Sequence, residues 1–338
     1  KTIIRNFISV LRRFKMATIL NILGLSVAFA AFMVIMMQVD YDKNFDTFHK
    51  KADNIYRVEL QWDKTSTQAV VSRPIADAFI NFSPHIVAGA LTYPFYNETF
   101  YSVDKGGEKS SYLEPTMTVY PSFTDVFDFE ILEGSVEVLK EPEKMLIPES
   151  MAQKLFGNEP AVGKQITAKE SKGRLAGLFT TPEGNYTIGG IYRDLPLNSI
   201  IQNAVFIKMD DKQDLHDWGN SSYNFYIRLD NPESAKDLVS DFLAYYKEND
   251  LGKNMSWYSG EPNFRLTRLP DIHYATDVTF DMAPKSSRQT VLVLFAIALV
   301  ILIIAGINFT NFSTALTPMR VKSINTQKVL GSSDGVLR

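Results

Sequence analysis

The stretch FGNEPAVGKQI, Phe156 to Ile166, holds a Gly-Lys pair a short way after another glycine, close to the spacing of a phosphate-binding loop. Such a loop needs G-x-x-x-x-G-K-[ST], so that backbone amides wrap the phosphates and the hydroxyl holds magnesium. Here five residues separate Gly157 from Gly163, and Gln165 stands where the hydroxyl residue is needed. The stretch reads instead as a helix, ESMAQKLFG, stopped by Gly157, then a turn at Gly163 entering a strand, KQITA. His49, His85, His216 and His273 are widely scattered and form no H-E-x-x-H or similar metal spacing. No G-x-S-x-G elbow occurs, and the acidic residues are too numerous to nominate a catalytic pair. No catalytic, cofactor or metal site is therefore assigned to this chain.

The elements that could position any chemistry begin with two apolar segments. Met16 to Val39 and Thr290 to Leu316 carry no charged residue. A helix of roughly 20 apolar residues crosses a bilayer, and both segments reach that length. The first is longer than the 7–15 apolar residues, roughly, of a cleaved signal peptide. Residues 1–15 hold Lys1, Arg5, Arg12, Arg13 and Lys15 and no acid. Arg320, Lys322, Lys328 and Arg338 follow the second segment against Asp334 alone. Basic flanks stay in the cytoplasm, so both ends are expected there and the acidic region between them outside. In residues 1–15, Ile4, Phe7, Ile8, Leu11 and Phe14 share one stripe with arginines opposite, which fits a helix lying on the lipid surface. Asn308 and Asn311, i and i+3 near the cytoplasmic end of the second span, read as contacts between transmembrane helices. The net charge of −3 with an acidic loop argues against a nucleic-acid partner, and the absence of cysteine fits an oxidising compartment.

Between the spans the pattern is α+β. DYDKNFDTFHKKADNIYRVEL reads as a polar helix continuing the first span and turning into a strand at Ile55. RPIADAFINFS is helical by spacing, residues 101–220 are mainly strands broken by Gly, Pro and Asn, and NFYIRLD is a strand. Pro232 opens a helix with Ala235, Leu238, Val239, Phe242 and Tyr246 on one face, and NFRLTRLPDI returns as a strand. The expected organisation is a cytoplasmic amphipathic helix (1–15), a first transmembrane helix (16–39) and an exported bilobed α+β domain (40–289). Within that domain a strand-and-helix lobe (53–100 and 221–275) carries an inserted strand-rich lobe (101–220), with stalk helices at both ends. A second transmembrane helix (290–316) and a cytoplasmic segment (317–338) follow.

Five stretches, in order, carry a family resemblance: NILGLSVAFAAFMVIMMQVDYDKNFDTFHKKADNIYRVE, FTDVFDFEILEG, IPESMAQKLFGNEPAVGKQI, IGGIYRDLPLNS and GINFTNFSTALTPMRVKSINTQKVLGSS. Each is degenerate alone, but together, around one large exported loop, the chain resembles the N-terminal part of an ABC-transporter permease of the MacB/FtsX-like, macrolide-exporter type. The resemblance implies that ATP and magnesium are bound by a separate cytoplasmic ATPase subunit. It also implies a homodimer or a second permease half, an inner-membrane location with the large domain in the periplasm, and contact with a periplasmic adaptor. ATP-driven closure of the ATPases would move the exported domains through the stalks, to which Phe45, Asp46, Phe48 and Tyr56 are assigned. The family pattern R-x-K-E-I-G-[VI]-R-K-x-L-G-A, which docks on the ATPase, is matched by Arg320, Lys322, Ile324, Lys328, Leu330 and Gly331. Ser323, Asn325 and Gln327 depart from it, which changes the charge pairing expected there. Further spans are expected after Arg338, so the sequence reads as a fragment. A two-span sensor with an extracytoplasmic ligand-binding domain shares this topology and is the alternative reading.

Overall fold

The computed structural model describes residues 15–61, 66–105, 108–169, 181–254 and 262–329. They fall into two compact units, one of residues 1–43 and 288–338, the other of residues 44–287.

The first unit holds helices α1 (Lys15–Lys43) and, last in the chain, α7 (Arg288–Val329), packed on each other. Among the described side chains of α7, Val291, Ala298 and Ala305 are the buried ones and recur every seven positions, the repeat of a two-helix seam. The two alanines let the backbones approach closely. Leu20, Leu23, Val27, Val34, Ile303 and Ile304 face outward, as expected of helices solvated by lipid. Asn308 and Asn311, expected to contact another transmembrane helix, are exposed in this helix pair. No break separates the second span from the segment after it. One helix runs through Pro318 to Val329, where a span and a distinct short helix were expected.

The second unit, Asn44–Ser287, is built on a sheet of 14 strands among the described residues. In chain order the first are β1 (Ile55–Gln61), β2 (Thr67–Gln68), β3 (Val70–Val71) and β4 (Ile86–Thr92), with helix α2 (Arg73–Phe82) before β4. Then come β5 (Asn97–Lys105) and β6 (Glu108–Val119), a short helix α3 (Phe123–Val126), β7 (Ile131–Gly134) and β8 (Lys144–Pro148). Helix α4 (Glu149–Phe156), β9 (Gln165–Lys169), β10 (Gly184–Tyr192) and β11 (Val205–Lys208) follow. The remainder is β12 (Tyr223–Leu229), α5 (Ala235–Glu248), β13 (Asn263–Arg268), α6 (Leu269–Ile272) and β14 (Val278–Thr279).

The pairing divides these strands into two groups. β5, β6, β11, β8, β10 and β9 pair in a closed ring, since β11 joins β8 on one side and β6 on the other. Its core is Tyr101, Met145, Ile147, Ile166, Ile188, Val205 and Ile207, with Met151 and Leu155 of α4. β4, β12, β1 and β13 form the other group, and its registered link to the ring is the single pair Thr92↔Val119. Two sequence motifs meet on the ring. The glycine of FEILEG, Gly134 (φ +76), pairs with Gly190 of IGGIY, and a Cβ on Gly134 would lie 2.1 Å from the Gly189 carbonyl oxygen. Only glycine fits that approach.

The β4-β12-β1 group is covered on both faces. Tyr56, Val58 and Leu60 of β1 turn to α2 and α5, where the tilted rings of Phe79 and Phe242 lie 4.3 Å apart, while Ile55 turns the other way. Strand side chains alternate, so Arg57 and Glu59 share the face of Ile55, and both are buried.

Candidate functional site

The helix expected to carry the first span on into the exported domain ends at Lys43. Asp46 has φ +58, a left-handed conformation that no right-handed helix can pass through. The reason lies in its side chain. The buried Asp46 carboxylate accepts hydrogen bonds from Ser199 Oγ at 2.5 Å and from the Ile200 amide at 3.1 Å. The Asp46 amide donates to the Asn198 carbonyl, and Asn198 Nδ2 donates back to the Asn44 carbonyl at 2.7 Å. Phe45, Asp46 and Phe48, expected on a stalk helix, and Tyr56, expected at the start of the strand that follows it, thus lie inside the globular unit. Phe45, Asp46 and Tyr56 are buried, Phe48 is half-buried, and Tyr56 sits in β1.

The chain leaving this unit is held as firmly. Residues 280–287 contain no stalk helix and are irregular. Asp281 Oδ2 lies 2.7 Å from Arg57 Nη2 and 2.5 Å from Lys285 Nζ. Arg57 also donates from Nε and Nη2 to Glu59 Oε1, at 2.9 and 2.6 Å. Glu59 Oε2 accepts from Arg265 Nε and Thr267 Oγ1, and Arg265 reaches on to Asp277. Three cations thus balance three carboxylates around a fully buried guanidinium. Burial pulls the Arg57 pKa down, but Glu59, Tyr226 and Asp281 outweigh it and raise it.

His273 joins the two sides. Its ring stacks on Phe45 with centroids 3.8 Å apart and planes 7° from parallel. Its Nδ1 donates to the Pro284 carbonyl at 2.8 Å, and its own carbonyl accepts from the Ser286 amide. Nearby, His49 Nδ1 accepts from the Asp128 amide, while Asp128 accepts from the Lys50 amide. Burial lowers the His49 pKa to about 4 against the pull of Asp128, and raises that of Asp46 to about 7 against its hydrogen bonds. The result is one fixed junction holding residues 44–50 and 277–287, the two segments through which this unit meets α1 and α7 in sequence.

Sequence reasoning missed most of these groups. Arg57 and Glu59 were visible as charges two apart in a strand otherwise apolar, which alternation puts on one face. Nothing local pointed to Ser199, Asp281 or His273, because their partners are distant in sequence.

The Gly-Lys stretch is a turn tied to the ring. Gly163 has φ +87, its amide donates to the Ile188 carbonyl at 2.8 Å, and the Ile188 amide returns a bond to the Lys164 carbonyl. Lys164 Nζ pairs with Glu159 at 2.6 Å over the Phe156 ring. Among the described residues no group of three or more His, Asp or Glu could hold a metal. Of the residues expected to dock on an ATPase, Arg320, Lys322, Ile324 and Lys328 lie in the last turns of α7, and Leu330 and Gly331 fall outside the described residues.

The family model for the MacB-like periplasmic core domain matches residues 18–245. No curated protein matches the chain. A solved domain of a putative permease from Porphyromonas gingivalis is 23% identical, with a TM-score of 0.52 over 73% of this chain and 99% of that one. The extracellular domain of the ABC-type transporter YknZ from Gram-positive bacteria is 11% identical, with a TM-score of 0.39 over 63% of this chain and 100% of that one. The periplasmic region of MacB from Actinobacillus actinomycetemcomitans is 13% identical, with a TM-score of 0.38 over 65% and 90%.

Proposed function

Because the chain belongs to the MacB-like periplasmic core domain family, we propose that it is the permease subunit of an ABC transporter that works by mechanotransmission. A separate cytoplasmic ATPase binds ATP and magnesium. Its closure shifts the membrane helices of a dimer, or of two permease halves, and the extracytoplasmic domain moves with them to export or extract a substrate. The protein resides in the cytoplasmic membrane, and a periplasmic adaptor is its expected partner on the far side.

The observation that carries this reading is the junction. A domain that is to follow its membrane helices must not be hinged where the chain leaves it. Here both connecting segments are fixed by buried side chains: Asp46 to residues 198–200, Asp281 to Arg57, and His273 to Phe45 and Pro284. An ion pair of this kind is held by enclosure and is insensitive to salt.

The test is purification of the full-length protein from its native membrane. An ABC ATPase is expected to co-purify, and Leu330→Ala, which truncates an apolar anchor of the docking segment, is expected to weaken that association by about tenfold or more. Leu330→Met should keep it. A full-length protein that brings down no ATPase, or a Leu330→Ala variant that binds it unchanged and transports normally, would overturn the reading.

A further inference from the structure

A cavity of about 660 Å³ opens where the two strand groups meet, beside the single Thr92↔Val119 pair. That volume lies within the range of sites for drug-sized ligands. Its floor is buried: Met117, Ile201, Asn224 and Tyr226. Its mouth is exposed and carries Glu98, Gln202 and Met282. Among the described residues that line it, Glu98 alone is charged. The walls are otherwise apolar or aromatic, with Phe95 and Tyr96 between mouth and floor.

One polar group on the floor is unsatisfied. Asn224 is 7% exposed, and its Oδ1 is buried without a hydrogen-bond partner. That oxygen is shut off from the cavity by protein atoms, so the floor meets a ligand through its apolar surface. Tyr96 Oη accepts from the Gln202 amide at 2.7 Å, which holds its ring in the wall.

We propose that this cavity binds a small amphiphilic amine, with the apolar body against the floor and the ammonium group at the mouth, between Glu98 and the aromatic rings. A carboxylate with aromatic faces and no opposing cation selects a cation over an anion. The ligand would also touch the junction. Ile200 lines the cavity and its amide is held by Asp46, while Met282 and Ala283 line it next to Asp281. The site stands on its own geometry and does not depend on an ATPase partner.

The experiment compares three probes sharing one apolar body: naphthylethylamine, naphthylethanol and naphthylacetate. Binding is read at pH 7 by equilibrium dialysis against the full chain in phosphatidylcholine nanodiscs, with empty nanodiscs subtracted. The amine should bind about tenfold more tightly than the alcohol, a charge-assisted hydrogen bond's difference, and the carboxylate most weakly. Glu98→Gln, at an exposed position, should bring the amine to the level of the alcohol. Ile201→Trp, which fills the floor, should abolish binding of all three. Equal binding of the three probes, no binding of the amine, or an amine preference that survives Glu98→Gln overturns the proposal. Unchanged binding to a folded Ile201→Trp variant does so as well.

Discussion

At the scale of single residues, Asp46 and His49 oppose each other in their response to pH. Burial raises the Asp46 pKa from 3.8 to about 7, so the folded protein holds a proton that the unfolded chain releases. Stability from this group is complete below its unfolded value and is lost as pH rises through about 7. Burial lowers the His49 pKa from 6.5 to about 4, so its contribution is complete above 6.5 and is lost as pH falls towards 4. In the shared window the two slopes cancel. Asp46→Asn should expose the histidine alone. Asparagine tolerates the left-handed backbone at this position and keeps an acceptor for Ser199 Oγ and the Ile200 amide. The variant should fold and then lose stability on acidification relative to the native chain, by about 1.4 kcal/mol per pH unit between about pH 6.5 and 4.5. Urea unfolding across that range measures it. Parallel profiles for the two proteins would mean that Asp46 is ionised in the fold.

At the scale of elements, β1 carries the buried charge that fixes the outgoing chain. Glu59 accepts from Arg57, Arg265 and Thr267, whereas Asp281 serves Arg57 and Lys285 from a segment outside the sheet. Removing Glu59 strips the guanidinium of its in-strand partner and leaves a buried cation, so Glu59→Ala should cost about 3–5 kcal/mol. Asp281→Asn retains the Arg57–Glu59 pair and should cost less than half as much by the same denaturant measurement. Equal losses would show that Asp281 anchors as much as Glu59 does, and a larger loss for Asp281→Asn would make it the chief anchor. Much of this element was legible in advance. The alternation of IYRVEL marked a strand, the apolar spacing of RPIADAFINFS and of Leu238, Phe242 and Tyr246 marked α2 and α5, and Gly157 marked the end of α4. The continuation of α1 past Lys43 was misread because residues 40–51 have a helical composition, while the Asp46 turn is imposed by Ser199 and Ile200, more than 150 positions away. The junction was invisible for the same reason: its bonds are long-range, and local pattern reports only local preference.

At the scale of the whole molecule, α7 is the informative length. Its 42 residues make a rod of about 63 Å at 1.5 Å per residue, about twice the hydrocarbon thickness of a bilayer. Its uncharged part, Thr290 to Leu316, suffices to cross, and the turns bearing Arg320, Lys322 and Lys328 continue beyond it as the same helix. One helix therefore runs from the apolar stretch into a basic end, without the break that a separate docking helix would introduce. The charges predict the orientation, because basic ends are retained on the side of synthesis. The chain contains no cysteine, so single cysteines report without background. Ser240→Cys, exposed on α5, should react with a membrane-impermeant maleimide in intact spheroplasts. Ser9→Cys and Ser332→Cys, in the basic flanks, should react only after the membrane is permeabilised. Labelling of Ser9→Cys or Ser332→Cys from outside, or protection of Ser240→Cys, would invert the topology and remove the basis for a cytoplasmic ATPase contact at the end of α7.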